Sequence, residues 1–160
     1  MDVKFSEKTM KEFTAVLARY PDRQAAVLPA LWLVQRDFGY VSTEGALYVA
    51  SLTDTPPARV LETLKFYTMY QKEKPGRYHV QVCRTLSCML AGSEDLQKVI
   101  EKKLKLKPGG VTKDGKFSYQ AVECLAACHN APCVQVNDEY HENLTPEKLA
   151  DLLEELAKRG

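Results

Sequence analysis

Neither sign of charge is in excess in this 160-residue chain: 22 lysines and arginines face 21 aspartates and glutamates. The balance is local as well as global, with ten basic and nine acidic side chains ahead of residue 75 and twelve of each from there on. No basic half is available to neutralise a phosphate backbone, which excludes nucleic acid as a partner. Long apolar runs are missing too. The longest, Ala25 to Val34, is interrupted by Pro29 and falls far short of the ~20 residues a membrane-spanning helix requires, so no direct membrane insertion is expected. The first residues, Met1-Asp2-Val3-Lys4-Phe5-Ser6-Glu7-Lys8, run into charged sequence without the apolar stretch of an export signal, and a cytoplasmic location is expected. There is no G-x-G-x-x-G, no P-loop and no triad-like grouping, so the chain alone has no evident substrate or nucleotide site. What remains is 45% hydrophobic, 27% charged and 9% aromatic, the balance of a globular protein long enough for one ordinary domain or two small ones.

Five cysteines then stand out: Cys83, Cys88, Cys124, Cys128 and Cys133. A disulfide framework fits poorly, because cytoplasmic thiols are kept reduced and the number is odd. A thioredoxin-type redox dithiol needs C-x-x-C, and the chain has none. The spacing is instead Cys83-x4-Cys88, thirty-five residues, then Cys124-x3-Cys128. Cys124 to His129 is one residue longer than the haem-attachment pattern, and a Rieske centre would need two histidines where only His129 lies near a cysteine. Zinc and an all-cysteine iron–sulfur cluster are the two metal chemistries left.

The chain reads as two parts. Met10, Phe13, Leu17 and Tyr20 recur at helical spacing up to Pro21, and Asp22 can cap a second helix carrying Val27, Leu28, Leu31, Val34 and Phe38, with Gly39 as its stop. Ser42 caps a third, and Thr55-Pro56-Pro57 opens a fourth with Val60, Leu61 and Leu64 on one face. The charged Lys72-Glu73-Lys74 ends at Pro75-Gly76, which places a boundary between a small helical bundle, 1–74, and a second domain, 75–160. There the period changes to two. Tyr78, Val80 and Val82 form a strand ending at Cys83. A helix follows with Leu96, Val99, Ile100 and Leu104, stopped by Pro108-Gly109-Gly110. Phe117–Val122 is a second strand ending near Cys124, Cys133–Val136 a third, Tyr140-His141 a short fourth, and Thr145-Pro146 opens a last helix with Leu149, Leu152, Leu153 and Leu156.

The fold class is thus α+β, its second domain ordered β-α-β-β-β-α. The crossover between the first two strands is long enough to make them parallel, so both end at one sheet edge and carry the two cysteine pairs there. That suits a [2Fe–2S] cluster, which needs two thiolates per iron: Cys83 and Cys88 on one, Cys124 and Cys128 on the other. Small neighbours (Ser87, Ala126, Ala127) admit backbone N–H groups to the sulfurs. Arg84 and Thr85 bring a charge and a donor close by.

With these residues goes a family resemblance. The cysteine pattern, together with Leu28-Pro29-Ala30-Leu31, Phe38-Gly39-Tyr40-Val41-Ser42, Pro56-Pro57-Ala58-Arg59-Val60 and Phe66-Tyr67-Thr68-Met69-Tyr70, resembles the thioredoxin-like [2Fe–2S] ferredoxin subunit of NADH:quinone oxidoreductase, the NuoE family. The resemblance spans about residues 25 to 137. It implies a thioredoxin-like second domain and Cys83, Cys88, Cys124 and Cys128 as cluster ligands, with no catalytic residue on this chain. Cys133 lies outside the four-ligand pattern and reads as a packed thiol, with His129 as the one substitute ligand. The run Lys98, Lys102, Lys103, Lys105, Lys107 reads as the wet face of a helix. The implied function is one-electron transfer as a subunit of NADH dehydrogenase (complex I), peripheral to the cytoplasmic face of the inner membrane. FMN and NADH would lie on a partner flavoprotein subunit, docked by the N-terminal bundle, with other peripheral-arm subunits beyond. An equivalent subunit of an NAD-linked hydrogenase or formate dehydrogenase, and a structural zinc module, are the alternatives.

Overall fold

A computed structural model describes residues 3–159, and the packing divides the chain into two units, Met1–Lys74 and Pro75–Gly160. In the first, α1 (Glu7–Leu17) starts where Ser6 Oγ accepts from the Thr9 N–H at 3.2 Å. Tyr20 falls outside the helix its spacing suggests and is exposed. It precedes Pro21, whose ring disfavours helical backbone in the residue before it. Asp22 Oδ1 accepts from the Ala25 N–H at 2.9 Å and heads a 3-10 turn, Gln24–Ala26, that runs directly into α2 (Val27–Phe38). Gly39 ends α2 at φ 81°, a left-handed conformation that costs glycine little. Ser42 Oγ accepts from the Gly45 N–H at 3.1 Å to open α3 (Thr43–Thr53), and Pro57 takes the first position of α4 (Pro57–Phe66). Phe13, Leu31, Val34, Val49, Val60 and Leu64 are buried together with Tyr70, whose hydroxyl donates to the Leu28 carbonyl at 2.8 Å.

The second unit is a four-stranded sheet: β1 (Tyr78–Cys83), β2 (Phe117–Val122), β3 (Val134–Val136) and β4 (Glu139–His141), in the order β2-β1-β3-β4. β1 and β2 are parallel, and β3 runs antiparallel to both β1 and β4. Between β1 and β2 lie a short helix, α5 (Leu86–Leu90), and the longer α6 (Ser93–Leu104); α7 (Pro146–Lys158) closes the chain. One sheet face carries Val80, Val82, Phe117, Tyr119, Val134 and Val136 against Leu96, Ile100, Leu149 and Leu153. The other face is polar. There His79 and Ser118 are both buried, with His79 Nδ1 and Ser118 Oγ 2.8 Å apart.

α6 stops short of Pro108-Gly109-Gly110. The chain turns at Lys105 (φ 54°), because Leu104 and Leu106 both pack on the core, which residues two apart in a continuing helix cannot do. Gly109 and Gly110 are then free to run beside β2, donating to the Tyr119 carbonyl at 2.7 Å and accepting the Tyr119 N–H at 3.0 Å respectively. In the lysine run, Lys98 pairs with Asp95, Lys107 with Glu101 and Lys103 with Glu154 of α7. Among the described residues no helix is long and apolar enough to cross a membrane.

Candidate metal centre

The parallel pairing of β1 with β2 sets the site. Cys83 is the last residue of β1 and lies opposite Val122, the last of β2, so Cys124 emerges at the same edge two residues later. The Arg84 N–H donates to the Val122 carbonyl at 3.0 Å and extends the pairing into the loops. Across these loops Arg84 forms an exposed ion pair with Glu123. Its Nε and Nη2 both donate to Glu123 Oε1.

Cys83 and Cys88 come together. Both are buried, Cys83 at the strand end and Cys88 on α5, and they pack in one cluster. α5 is an element that the sequence does not advertise: five residues are too few to show a period, and the spacing alone puts Cys88 in a loop. Cys83 Sγ also lies 3.0 Å from the Glu123 carbonyl and 3.2 Å from Thr85 Oγ1. Burial opposes ionisation of Cys83, but the Thr85 hydroxyl, the backbone N–H groups of Thr85 and Leu125 and the Cys88 thiol outweigh it and hold the thiol below its ordinary range. At Cys88 burial wins and, with Cys83 beside it, pushes the thiol up against the pull of the Cys133 N–H.

Cys124 and Cys128 line the exposed side. Ala126 between them adopts φ 60° and points its N–H at Cys124 Sγ, 3.3 Å away. Left-handed backbone is uncommon for a residue with a Cβ, and here it aims an amide at a sulfur. Ala127 is buried, and Cys128 begins a 3-10 turn, Cys128–Asn130, that includes the exposed His129.

Cys133, fully buried, packs with Cys83 and Cys88. Its carbonyl accepts the Cys83 N–H at 3.2 Å, and burial first, then the neighbouring Cys88, Glu142 and Cys83, push its thiol up to about 12. Glu123, Leu125 and Cys133 belong to the site through their backbones, and no side-chain pattern could have found them.

Among the described residues, no three His, Cys, Asp or Glu side chains converge on a single metal position. The donor chemistry nonetheless fits a thiophilic centre. Four cysteines from two strand-end segments share one edge, and the Ala126 N–H points at Cys124 Sγ. An all-sulfur set of this kind suits zinc or an iron–sulfur cluster and not a hard cation.

Comparison with known proteins separates those chemistries. A sequence family described as thioredoxin-like [2Fe–2S] ferredoxin matches residues 13–157. The chain is 41% identical over 154 residues to the E subunit of the NADH-quinone oxidoreductase of Rickettsia felis, covering 94% of this chain and 92% of that protein. It is likewise 41% identical over 155 residues to the corresponding protein of Rickettsia bellii, covering 95% and 93%. Among solved structures, an NAD+-reducing [NiFe]-hydrogenase in the H2-reduced state shares the fold, with a TM-score of 0.74 at 19% identity over 86% of this chain. This chain spans 23% of that hydrogenase chain.

Proposed function

The chain belongs to the thioredoxin-like [2Fe–2S] ferredoxin family, and from that membership we propose that it is the [2Fe–2S] electron-transfer subunit of an NADH–quinone oxidoreductase. The observation that carries the proposal is the shared edge of β1 and β2, where two cysteine pairs lie, with the Ala126 N–H directed at Cys124 Sγ. Cys83, Cys88, Cys124 and Cys128 would hold the cluster as thiolates. When bound, the cluster stores and releases one electron.

The rest of the chemistry belongs to this chain. The amides of Thr85, Leu125, Ala126 and Cys133 stabilise negative charge on the sulfurs. Buried Ala127 and Cys133 keep water from the inner side of the site. The exposed Cys124 and Cys128 give an electron a short path to a partner. That partner would be a flavoprotein subunit that takes hydride from NADH on FMN and passes electrons singly. The N-terminal helices would dock it, at the cytoplasmic face of the membrane within the peripheral arm. The hydrogenase reading finds less support, since that likeness lies at 19% identity and the Rickettsia relatives at 41%.

The test is iron, acid-labile sulfide and zinc per chain on anaerobically purified protein, with an EPR spectrum after dithionite reduction. About two iron and two sulfide with a spin-half signal are expected. Stoichiometric zinc with no sulfide and no signal would leave a structural module in its place. A nickel-containing subunit copurifying with the chain would move it to a hydrogenase.

A further inference from the structure

Thr85 stands where a helix N-cap belongs, and its side chain does not cap. Its backbone is extended (φ −80°, ψ 169°), α5 starts at the next residue, and the Met89 N–H donates to its carbonyl at 2.9 Å. A threonine in that position ordinarily turns its hydroxyl to accept from an N–H of the first turn. Ser6, Ser42 and Thr145 all do so in this chain. Thr85 makes no such bond, and its Oγ1 lies 3.2 Å from Cys83 Sγ. Since Cys83 directs its own S–H to the Glu123 carbonyl at 3.0 Å, the hydroxyl is the donor in the contact with Thr85. A metal-bound Cys83 has no S–H, but the hydroxyl keeps its proton and remains a donor to the sulfur.

We infer that Thr85 is a positioning residue that tunes the redox centre: its hydroxyl donates to the Cys83 sulfur and raises the reduction potential. The inference rests on the assignment of Cys83 as a cluster ligand. A hydrogen bond to a ligand sulfur stabilises the more negative, reduced state more than the oxidised one, and so favours reduction. Arg84, the other polar residue in the loop, does not compete for this role, because it is paired with Glu123.

The experiment uses the full chain with Thr85→Val, which keeps the shape and removes the hydroxyl, and Thr85→Ser, which restores it. Midpoint potentials are read by EPR-monitored redox titration of the anaerobically purified, cluster-loaded proteins. Thr85→Val should shift the reduction equilibrium about three- to tenfold toward the oxidised state, the upper end being about 59 mV for one electron. Thr85→Ser should titrate with the wild type. A purely structural role would lower the thermal midpoint or cluster retention without moving the potential. If Thr85→Val does not keep its iron, Thr85→Ala carries the same expectation. An unmoved potential in the hydroxyl-free variant, or a serine variant that falls with it, overturns the inference while the wild type still shows two iron and a spin-half signal. A wild type that holds zinc and no sulfide overturns the ligand assignment as well.

Discussion

Cys133 shows how far a single side chain can stand from its neighbours in chemistry while touching them. It packs with Cys83 and Cys88, but it lies outside both short cysteine spacings and meets Cys83 through its carbonyl, which accepts the Cys83 N–H at 3.2 Å. Cys133→Ala should therefore retain iron, sulfide and the EPR signal at wild-type stoichiometry and lose about 1 kcal/mol of stability from the missing buried sulfur. Cys83→Ser and Cys124→Ser should lose or damage the cluster. Loss of iron from Cys133→Ala as complete as from Cys83→Ser would sink the four-ligand assignment. The placement of the first cysteine pair is legible because a period-two run ends at Cys83. The contact of Cys133 with Cys88 is not, since it depends on α5, whose five residues are too few to carry a period. His79 is a second residue whose place only the fold reveals. Alternation puts it on the polar face, where it is nonetheless buried, and burial holds its imidazole below the ordinary histidine range. The folded state thus takes up a proton at His79 less readily than the unfolded chain, which does so below about pH 6.5. Its contribution to stability is complete above that pH and falls as the pH drops toward the lower folded-state value. Urea midpoints at pH 7.5 and 5.5 should differ more for the wild type than for His79→Gln, and equal differences would show that His79 does not carry the effect.

Among the helices and strands, local chemistry is readable wherever a cap or a proline imposes itself. Gly39, Ser42 and Thr145 all act at the helix ends where their side chains or backbone freedom place them, whereas Asp22 heads the 3-10 turn before α2 and not α2 itself. Legibility fails where tertiary packing overrules a local signal. Pro108-Gly109-Gly110 is a strong stop, yet α6 ends four residues before it, because Leu106 packs against the core and the glycines are needed beside β2. Gly76 reads in the sequence simply as a break, and the structure gives it a stricter role. A Cβ at this position would lie 2.3 Å from the Phe117 carbonyl carbon and 2.5 Å from the Ser118 nitrogen, both backbone atoms that cannot turn aside. Gly76→Ala should force the start of β1 away from β2 and cost about 1–3 kcal/mol, whereas Gly109→Ala meets no atom within 4 Å and is strained only by its φ of 87°. Denaturant midpoints of the two variants test the difference. Gly76→Ala at wild-type stability would mean that the close approach at Phe117 is not a constraint.

Taken end to end, the chain joins two bodies with separate cores. The buried apolar residues of the first run from Val3 to Tyr70, and those of the second, including the cysteine cluster, from Val80 to Leu156. The four proposed ligands and every amide directed at them lie in the second. Ligation and partner docking are therefore expected to be separable. A chain of residues 75–160 should fold, hold two iron and two sulfide, and give the spin-half signal of the full protein. The same fragment should fail to capture the flavoprotein subunit in a pull-down that the full chain passes. The exposed Phe66, Tyr67 and Met69 at the end of α4 and just beyond it are the apolar surface whose loss the experiment probes. A full-length chain with Phe66→Ser and Met69→Ser separates surface from mere chain length: it should keep the cluster and weaken capture. Capture by the 75–160 fragment at full-chain affinity would assign docking to the cysteine-bearing unit and leave the helical bundle without that role.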